Sequence, residues 1–211
     1  MGGPSSETNT TMTESTANNE LDTANQATIG GSNVAEVHLE ESLVPEVEIV
    51  VPENEIIHVH IVCHSHDDVG WQMPPEQYFN MRVRDIITSV VKALEANPKR
   101  KFSQTEIYYF EMWWREQSIE IKERVKKLVK DGQLEFINGG WVSNDEACPS
   151  YEEVIMNMMT GHSFLKQNFD FVPKHAWHAD AFGHSAATVE LFAKMGFESI
   201  SFARIDDEEK N

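Results

Sequence analysis

Histidine and aspartate side chains cluster in one short stretch, where His64, His66, Asp67 and Asp68 fall within five residues. They follow a β-branched, largely apolar run, which is typical of a buried strand. Imidazole and carboxylate groups are common ligands of divalent metal ions. Residues two apart in an extended segment project to the same side, so either His64 with His66 or His66 with Asp68 is positioned to bind one ion. The alternative is a solvated polar loop, but this density of charge at a strand end favours a counter-ion.

A second acidic group, Asp180, follows a later strand and precedes a predicted helix. In that position a carboxylate often serves only to cap the helix. Ser185 is better placed for capping, which leaves Asp180 free for chemistry. A carboxylate in this position suits both a metal ligand and a nucleophile.

A third polar stretch begins at Gly139 and Gly140 and continues to Asp145 and Glu146. The two glycines allow the backbone to approach another group closely. Asp145 and Glu146 either face the same cleft as the other polar groups or belong to a polar loop ahead of Ser150. The sequence leaves both alternatives open.

Aromatic residues lie beside these polar groups, at Trp71, Trp141 and Phe182. Aromatic faces next to carboxylates are suited to stacking on sugar rings, although most aromatic side chains of any protein belong to its core. Spacing alone therefore favours the core interpretation for each of the three.

Strands and helices alternate from residue 56 onward, a pattern that predicts parallel β/α units and an α/β fold. Functional residues of such folds collect at the carboxyl ends of the strands, where the polar segments are found. The predicted strands are 56–63, 102–110, 134–137, 175–178 and 197–202. The predicted helices run from 75 to 97, from 114 to 130, onward from a Ser150–Glu153 capping box, and from Ser185 to Gly196.

The chain of 211 residues carries 17 Lys and Arg against 35 Asp and Glu, a formal net charge of −18. Such a balance argues against a nucleic-acid partner and against an anionic membrane surface, since both require clustered basic residues. Of the acidic residues, 11 lie in residues 1–57, which hold no Lys or Arg. Residues 1–55 are predicted to be a disordered acidic tail and linker, because they are poor in aromatic and apolar residues.

The sequence shows neither a signal peptide nor a membrane helix, and it has two cysteines. The N-terminus lacks the basic start and apolar stretch of a secretory signal peptide, and no apolar run is long enough for a membrane helix. The two cysteines, Cys63 and Cys148, exclude a scaffold built from several disulfides.

Three segments together resemble glycoside hydrolase family 38, the class II α-mannosidases, and within it the lysosomal branch. They are HSHDDVGW at 64–71, FINGGWVSNDEA at 136–147 and WHADAFGHS at 177–185. The last differs from the usual family form, which has Ile and Pro where this chain has Ala179 and Ala181. The resemblance runs from about Ile56 to Asp206.

The resemblance implies a zinc-dependent retaining α-mannosidase that acts on terminal mannose of N-glycan-type oligosaccharides. His66, Asp68 and Asp180 match zinc ligands of the family, and Asp180 also matches the nucleophile that forms a mannosyl ester. Trp71 and Phe182 match aromatic residues that line the mannose site. Arg204 matches, more loosely, an arginine near the nucleophile. The family branch also implies the lysosome or the secretory pathway, and nothing in the sequence fixes an oligomeric state.

The resemblance further implies that part of the family's catalytic machinery lies elsewhere. In the family, the general acid and a fourth zinc ligand, a histidine, lie far C-terminal to the nucleophile, whereas this chain ends 31 residues after Asp180. We therefore expect an incomplete β/α barrel, formed by residues 56–211 as the N-terminal part of a catalytic domain, that is inactive alone.

Two other functions remain open from the residues. A His-x-His pair at the end of a first strand also suits the metal-activated water of a sugar or amide deacetylase. A carbohydrate-binding remnant without turnover is the second alternative.

Overall fold

The computed structural model describes residues 58–206 and Glu208. The predicted tail and linker at 1–55 lie outside these residues. Helices and short strands alternate along the described part of the chain. In order they are α1 (Pro75–Tyr78), a π-helical turn (Phe79–Val83), α2 (Arg84–Ala96), β1 (Phe102–Gln104), α3 (Ile107–Glu116), α4 (Ile119–Lys130), β2 (Leu134–Phe136), α5 (Tyr151–Phe169), β3 (His175–His178), α6 (Ala186–Lys194) and β4 (Ser199–Phe202).

The strands form two parallel pairs, as the alternation of elements predicts. β1 pairs with β2, with Phe102 opposite Leu134, and β3 pairs with β4, with His175 opposite Ser199. The buried Asn138 joins the pairs, because its N–H donates to His175 O at 2.7 Å and its side-chain oxygen accepts from Trp177 N–H. Within each pair the two strands therefore direct their carboxyl ends toward the same edge.

The prediction of a buried first strand is wrong for the described residues 58–63. One bridge links His64 to Ser103 of β1, and Ser103 N–H donates to Cys63 O at 2.8 Å. Val59 is 75% exposed and Ile61 is 83% exposed. Within the described part of the chain, no residue pairs with 58–62, and Val59 and Ile61 remain mostly uncovered, so the β-branched pattern alone does not produce a strand.

The second predicted strand, 102–110, is also too long. β1 ends at Gln104, and Ile107 already begins α3, whose aromatic side chains face the core. The helix predicted at 114–130 is divided at Gln117 and Ser118. Ser118 caps α4 by accepting from Ile121 N–H. Aromatic residues favour strands. Here they recur at helical spacing and are buried in the core, so the segment forms a helix.

Predictions that rest on caps are confirmed. Ser150 accepts from Glu153 N–H, and the Glu153 carboxylate accepts from Ser150 N–H at 2.7 Å, which completes the capping box of α5. Ser185 accepts from Ala187 N–H and caps α6. These signals are local in sequence, so they do not depend on tertiary packing.

The core lies between the helices and the β1–β2 pair. Its largest fully buried side chains are aromatic or aliphatic, and include Trp113, Tyr109, Phe110 and Phe136. Phe110 packs edge-to-face on Phe136 with ring centroids 4.9 Å apart. In the described residues, no helix combines the length and apolar character needed to cross a bilayer.

Candidate functional site

Three sequence-predicted residues meet at the carboxyl edge of the strands. His66 Nε2 lies 2.9 Å from Asp68 Oδ1 and 3.3 Å from Asp180 Oδ2. His66 and Asp68 follow the segment that bridges β1, and Asp180 follows β3. The strand order therefore brings together ligand atoms from residues more than a hundred positions apart in the sequence.

These donors form a group suited to a divalent metal ion. The group offers one imidazole nitrogen and two carboxylate oxygens, which all lie within 4.8 Å of one another. Two ligand atoms on one tetrahedral zinc ion are about 3.3 Å apart, given metal–ligand bonds near 2 Å. The donor types and their spacing therefore fit such an ion, and we call these three residues the metal-donor group.

The other predicted residues surround the metal-donor group. Arg204 donates from Nη2 to Asp180 Oδ1 at 2.7 Å, and its guanidinium lies over the Phe182 ring at 4.4 Å. All six predicted residues line one cavity of about 520 Å³, in which Trp71 is 76% exposed and Phe182 is 71% exposed. The cavity thus combines polar groups with two exposed aromatic faces.

His64 is not part of the metal-donor group. Its ring packs edge-on against Trp177, with centroids 4.7 Å apart, and its Nδ1 lies near Ser65 O. The structure therefore favours the His66 and Asp68 pairing over the His64 and His66 pairing. Trp141 packs against Tyr108, whose centroid is 5.8 Å away, so its ring belongs to the edge of the core.

Sequence reasoning missed a buried carboxyl group beneath His66. Glu106 is fully buried, its Oε1 lies 3.7 Å from His66 Nδ1, and it accepts from Ser143 Oγ at 2.8 Å. Burial raises the pKa of Glu106 to about 7, although the Ser143 hydrogen bond opposes the shift. A charged residue directly before the apolar run 107–110 was the available signal, because buried carboxyl groups require partners.

Asp67 and Tyr109 also support this region. Asp67 is buried and accepts from Ser65 Oγ at 2.8 Å, while burial raises its pKa. The Tyr109 hydroxyl donates to Asp68 O at 2.7 Å, which links the backbone of this metal-donor residue to α3. Core packing thus fixes the backbone that carries His66 and Asp68.

Glu146 forms a second group of titratable side chains, with His178 and His184. Its Oε1 accepts from His178 Nδ1 at 2.6 Å and from His184 Nδ1 at 2.9 Å. Its Oε2 accepts from Ser185 N–H at 2.7 Å. Burial raises the pKa of Glu146, but these three hydrogen bonds outweigh it and lower the pKa below the ordinary value. Burial lowers the pKa of His178, which favours a neutral imidazole.

The two acidic residues left open by the sequence have different surroundings. Asp145 lines a smaller cavity of about 180 Å³ together with His66, Asp68 and Asp180. Glu146, whose side chain is 3% exposed, is enclosed by the two histidines. Neither is only a solvated loop residue.

Comparison with known proteins finds relatives in one family of glycoside hydrolases. Residues 56–211 match the description "Glycosyl hydrolases family 38 N-terminal domain". The chain is 45% identical to the lysosomal alpha-mannosidase of Dictyostelium discoideum over 159 residues, which are 72% of this chain and 16% of that protein. It is 43% identical to the lysosomal alpha-mannosidase of Homo sapiens over 165 residues, 74% of this chain and 16% of that protein.

A solved structure shows the same relationship. The alpha-mannosidase from Enterococcus faecalis V583 is 25% identical and superposes with a TM-score of 0.59 over 67% of this chain and 16% of that one. This chain therefore spans about one sixth of the length of these relatives. The match over residues 56–211 and the identities above 40% establish that the chain belongs to glycoside hydrolase family 38.

Proposed function

We propose that residues 56–211 form the N-terminal part of the catalytic domain of a retaining α-mannosidase, following a tail and linker at 1–55. The observation that supports this most directly is the environment of Asp180. One of its oxygens lies in the metal-donor group, and the other accepts from Arg204. We further propose that the parallel strands belong to a β/α barrel that other segments complete.

In this proposal His66, Asp68 and Asp180 hold a zinc ion, which would bind sugar hydroxyls and favour ring distortion toward the transition state. Trp71 and Phe182 present exposed faces on which a mannose ring can stack. Arg204 orients the Asp180 carboxylate by its hydrogen bond. The substrate is a mannose-containing oligosaccharide, and the lysosomal relatives suggest the lysosome or secretory pathway.

The reaction follows the retaining course. An Asp180 oxygen forms an ester bond with C1 of mannose as the glycosidic bond breaks. The electron pair of the glycosidic bond departs with the leaving oxygen. A general acid protonates that oxygen, and water later hydrolyses the ester. In this proposal the acid comes from a segment C-terminal to the matched one, as the family resemblance implies.

Covalent trapping with a fluorinated mannosyl fluoride tests the role of Asp180. Fluoride departs without a proton, so the test does not depend on the general acid. With zinc present, we expect mass spectrometry to find one fluoromannosyl group on the peptide that contains Asp180. Asp180→Asn should remain unlabelled, since an amide is a poor nucleophile.

Unlabelled wild-type protein that binds zinc would contradict the nucleophile assignment. That outcome would favour a carbohydrate-binding remnant, or a deacetylase-like hydrolase if the chain released acetate from an acetylated sugar. A label on a residue other than Asp180 would also be inconsistent with the proposal.

Turnover of ordinary substrates should be much slower. We expect the 211-residue chain alone to hydrolyse an aryl α-mannoside at a rate at least 100-fold below that of a full-length relative, because general acid catalysis typically contributes 10²–10⁴-fold. Release of the aryl group, followed by absorbance, measures this directly. Rapid turnover that Asp180→Asn abolishes would show that the matched segment is sufficient.

A further inference from the structure

The segment 179–183, which carries Asp180 and Phe182, has little structure of its own. It lies between the end of β3 and the cap of α6, and in the described backbone no hydrogen bond joins two of its residues. Gly183 has φ +112°, with no heavy atom close to the position of a Cβ. Inside the segment, Asp180 accepts from Arg204 and Ala181 is buried, so contacts at the two ends act together with these to fix its conformation.

The Glu146 carboxylate supplies those contacts. His178 immediately precedes the segment, and His184 and Ser185 immediately follow it. All three donate to this single side chain, at 2.6, 2.9 and 2.7 Å. Glu146 itself lies in the loop after β2, so one carboxylate joins that loop to both ends of the Asp180 segment.

We infer that Glu146 is a positioning residue, which holds the 179–183 segment so that Asp180 reaches His66. The inference rests on the proposed metal centre and assigns Glu146 no contact with substrate. Charge-assisted hydrogen bonds to a buried carboxylate are short and strong, so three of them suffice to constrain a five-residue segment. The Asp180 side chain is 40% exposed, whereas that of Glu146 is 3% exposed. Burial therefore does little to fix the position of Asp180.

The distances favour hydrogen bonds over a second metal ion in the Glu146 group. A separation of 2.6 Å between His178 Nδ1 and Glu146 Oε1 is typical of a charge-assisted N–H donor and a carboxylate. The third donor to the carboxylate is the backbone N–H of Ser185, which is not a metal ligand. With both Nδ1 atoms used, the Nε2 atoms of His178 and His184 are buried without a hydrogen-bond partner in the described residues.

Glu146→Gln tests the inference. The amide keeps the size of the side chain but places an N–H₂ donor opposite one of the three N–H donors, so that hydrogen bond is lost. In the 211-residue chain we expect calorimetric zinc affinity to fall about 10–100-fold, the usual loss when a partner outside the ligand set is removed. We also expect the NMR order parameter of the Asp180 amide to fall from about 0.85 to below 0.6, with or without zinc.

Glu153→Gln is the matched control. It makes the same change from carboxylate to amide in the α5 capping box, where Gln can still accept from Ser150 N–H, without touching the Asp180 segment. Zinc affinity and the Asp180 order parameter should both stay at wild-type values.

Three outcomes separate this inference from the proposed function. If wild-type protein binds zinc and Glu146→Gln retains full affinity and order, the positioning role is wrong and the metal centre stands. If wild-type protein binds no zinc, the three donors alone do not form a zinc site, and the order parameter still decides the role of Glu146. A second zinc ion per chain that Glu146→Gln removes would make the Glu146 group a metal site and overturn the inference.

Discussion

Replacing His66 by alanine is expected to abolish tight zinc binding by the chain. His66 Nε2 is the atom nearest to both Asp68 and Asp180 in the metal-donor group, at 2.9 and 3.3 Å. Its loss removes the nitrogen donor and leaves two half-exposed carboxylates that water solvates readily. The affinity should therefore fall by more than the ~10–100-fold expected for a residue outside the ligand set.

Calorimetric titration with zinc chloride measures this effect, and His64→Ala provides the control. His64 is an imidazole two residues away, but its ring packs on Trp177 and its Nδ1 lies near Ser65 O. His64→Ala should retain most of the wild-type affinity. Equal losses in the two variants, or none in His66→Ala, would contradict the assigned metal-donor group.

Gly161→Ala is expected to destabilise the fold by roughly 3 kcal/mol or more, the upper range for overpacking. Gly161 lies in α5 and faces the loop after β2. A Cβ at this position would lie 1.9 Å from Gly139 O and 2.8 Å from Gly140 C, far inside van der Waals contact. The higher helix propensity of alanine offsets only about 1 kcal/mol of this loss in unfolding free energy.

The loop cannot move away from α5 at low cost. Trp141 N–H donates to Asn157 O at 3.1 Å, and Val142 N–H donates to the Asn157 side chain at 2.9 Å. Asn157 lies one helical turn before Gly161, so the same turn that excludes a methyl group also anchors the loop. This contact fixes the start of the loop that later carries Glu146.

Urea denaturation of Gly161→Ala, beside Thr160→Ala as a control in the same helix, measures the loss. Thr160 is exposed, so its replacement should change the free energy of unfolding by less than about 1 kcal/mol. A Gly161→Ala variant as stable as wild type would show that the helix and the loop separate easily.

The elements that the sequence predicted well are those with local signals. The capping box at Ser150, the cap at Ser185 and the parallel order of the strands are all confirmed. The first strand was predicted from the β-branched pattern of 56–63, which indicates burial but does not provide a pairing partner. The split between α3 and α4 depends on Ser118, whose capping role is hidden inside a continuous helical pattern.

The residues of the candidate site also differ in whether the local sequence indicates them. Polar residues at strand ends of parallel folds converge, which singled out the His64–Asp68 stretch and Asp180. Spacing alone left open whether His64 or Asp68 pairs with His66, and the set of three came from the family resemblance. Glu106 and Glu146 act through contacts with residues 37 or 32 positions away, with Ser143 and His178 respectively. A local pattern signals at most that Glu106 needs a partner. Which partner it finds depends on how loops from different strands meet.

The exposure of Trp71 has an optical consequence. Trp113 and Trp114 are 2% and 5% exposed, Trp141 and Trp177 are half-buried, and Trp71 is 76% exposed at the cavity. The emission of Trp71 should therefore be shifted to longer wavelength than that of the buried tryptophans and be accessible to a collisional quencher. The chain thus contains an intrinsic fluorophore whose environment changes when a molecule occupies the cavity.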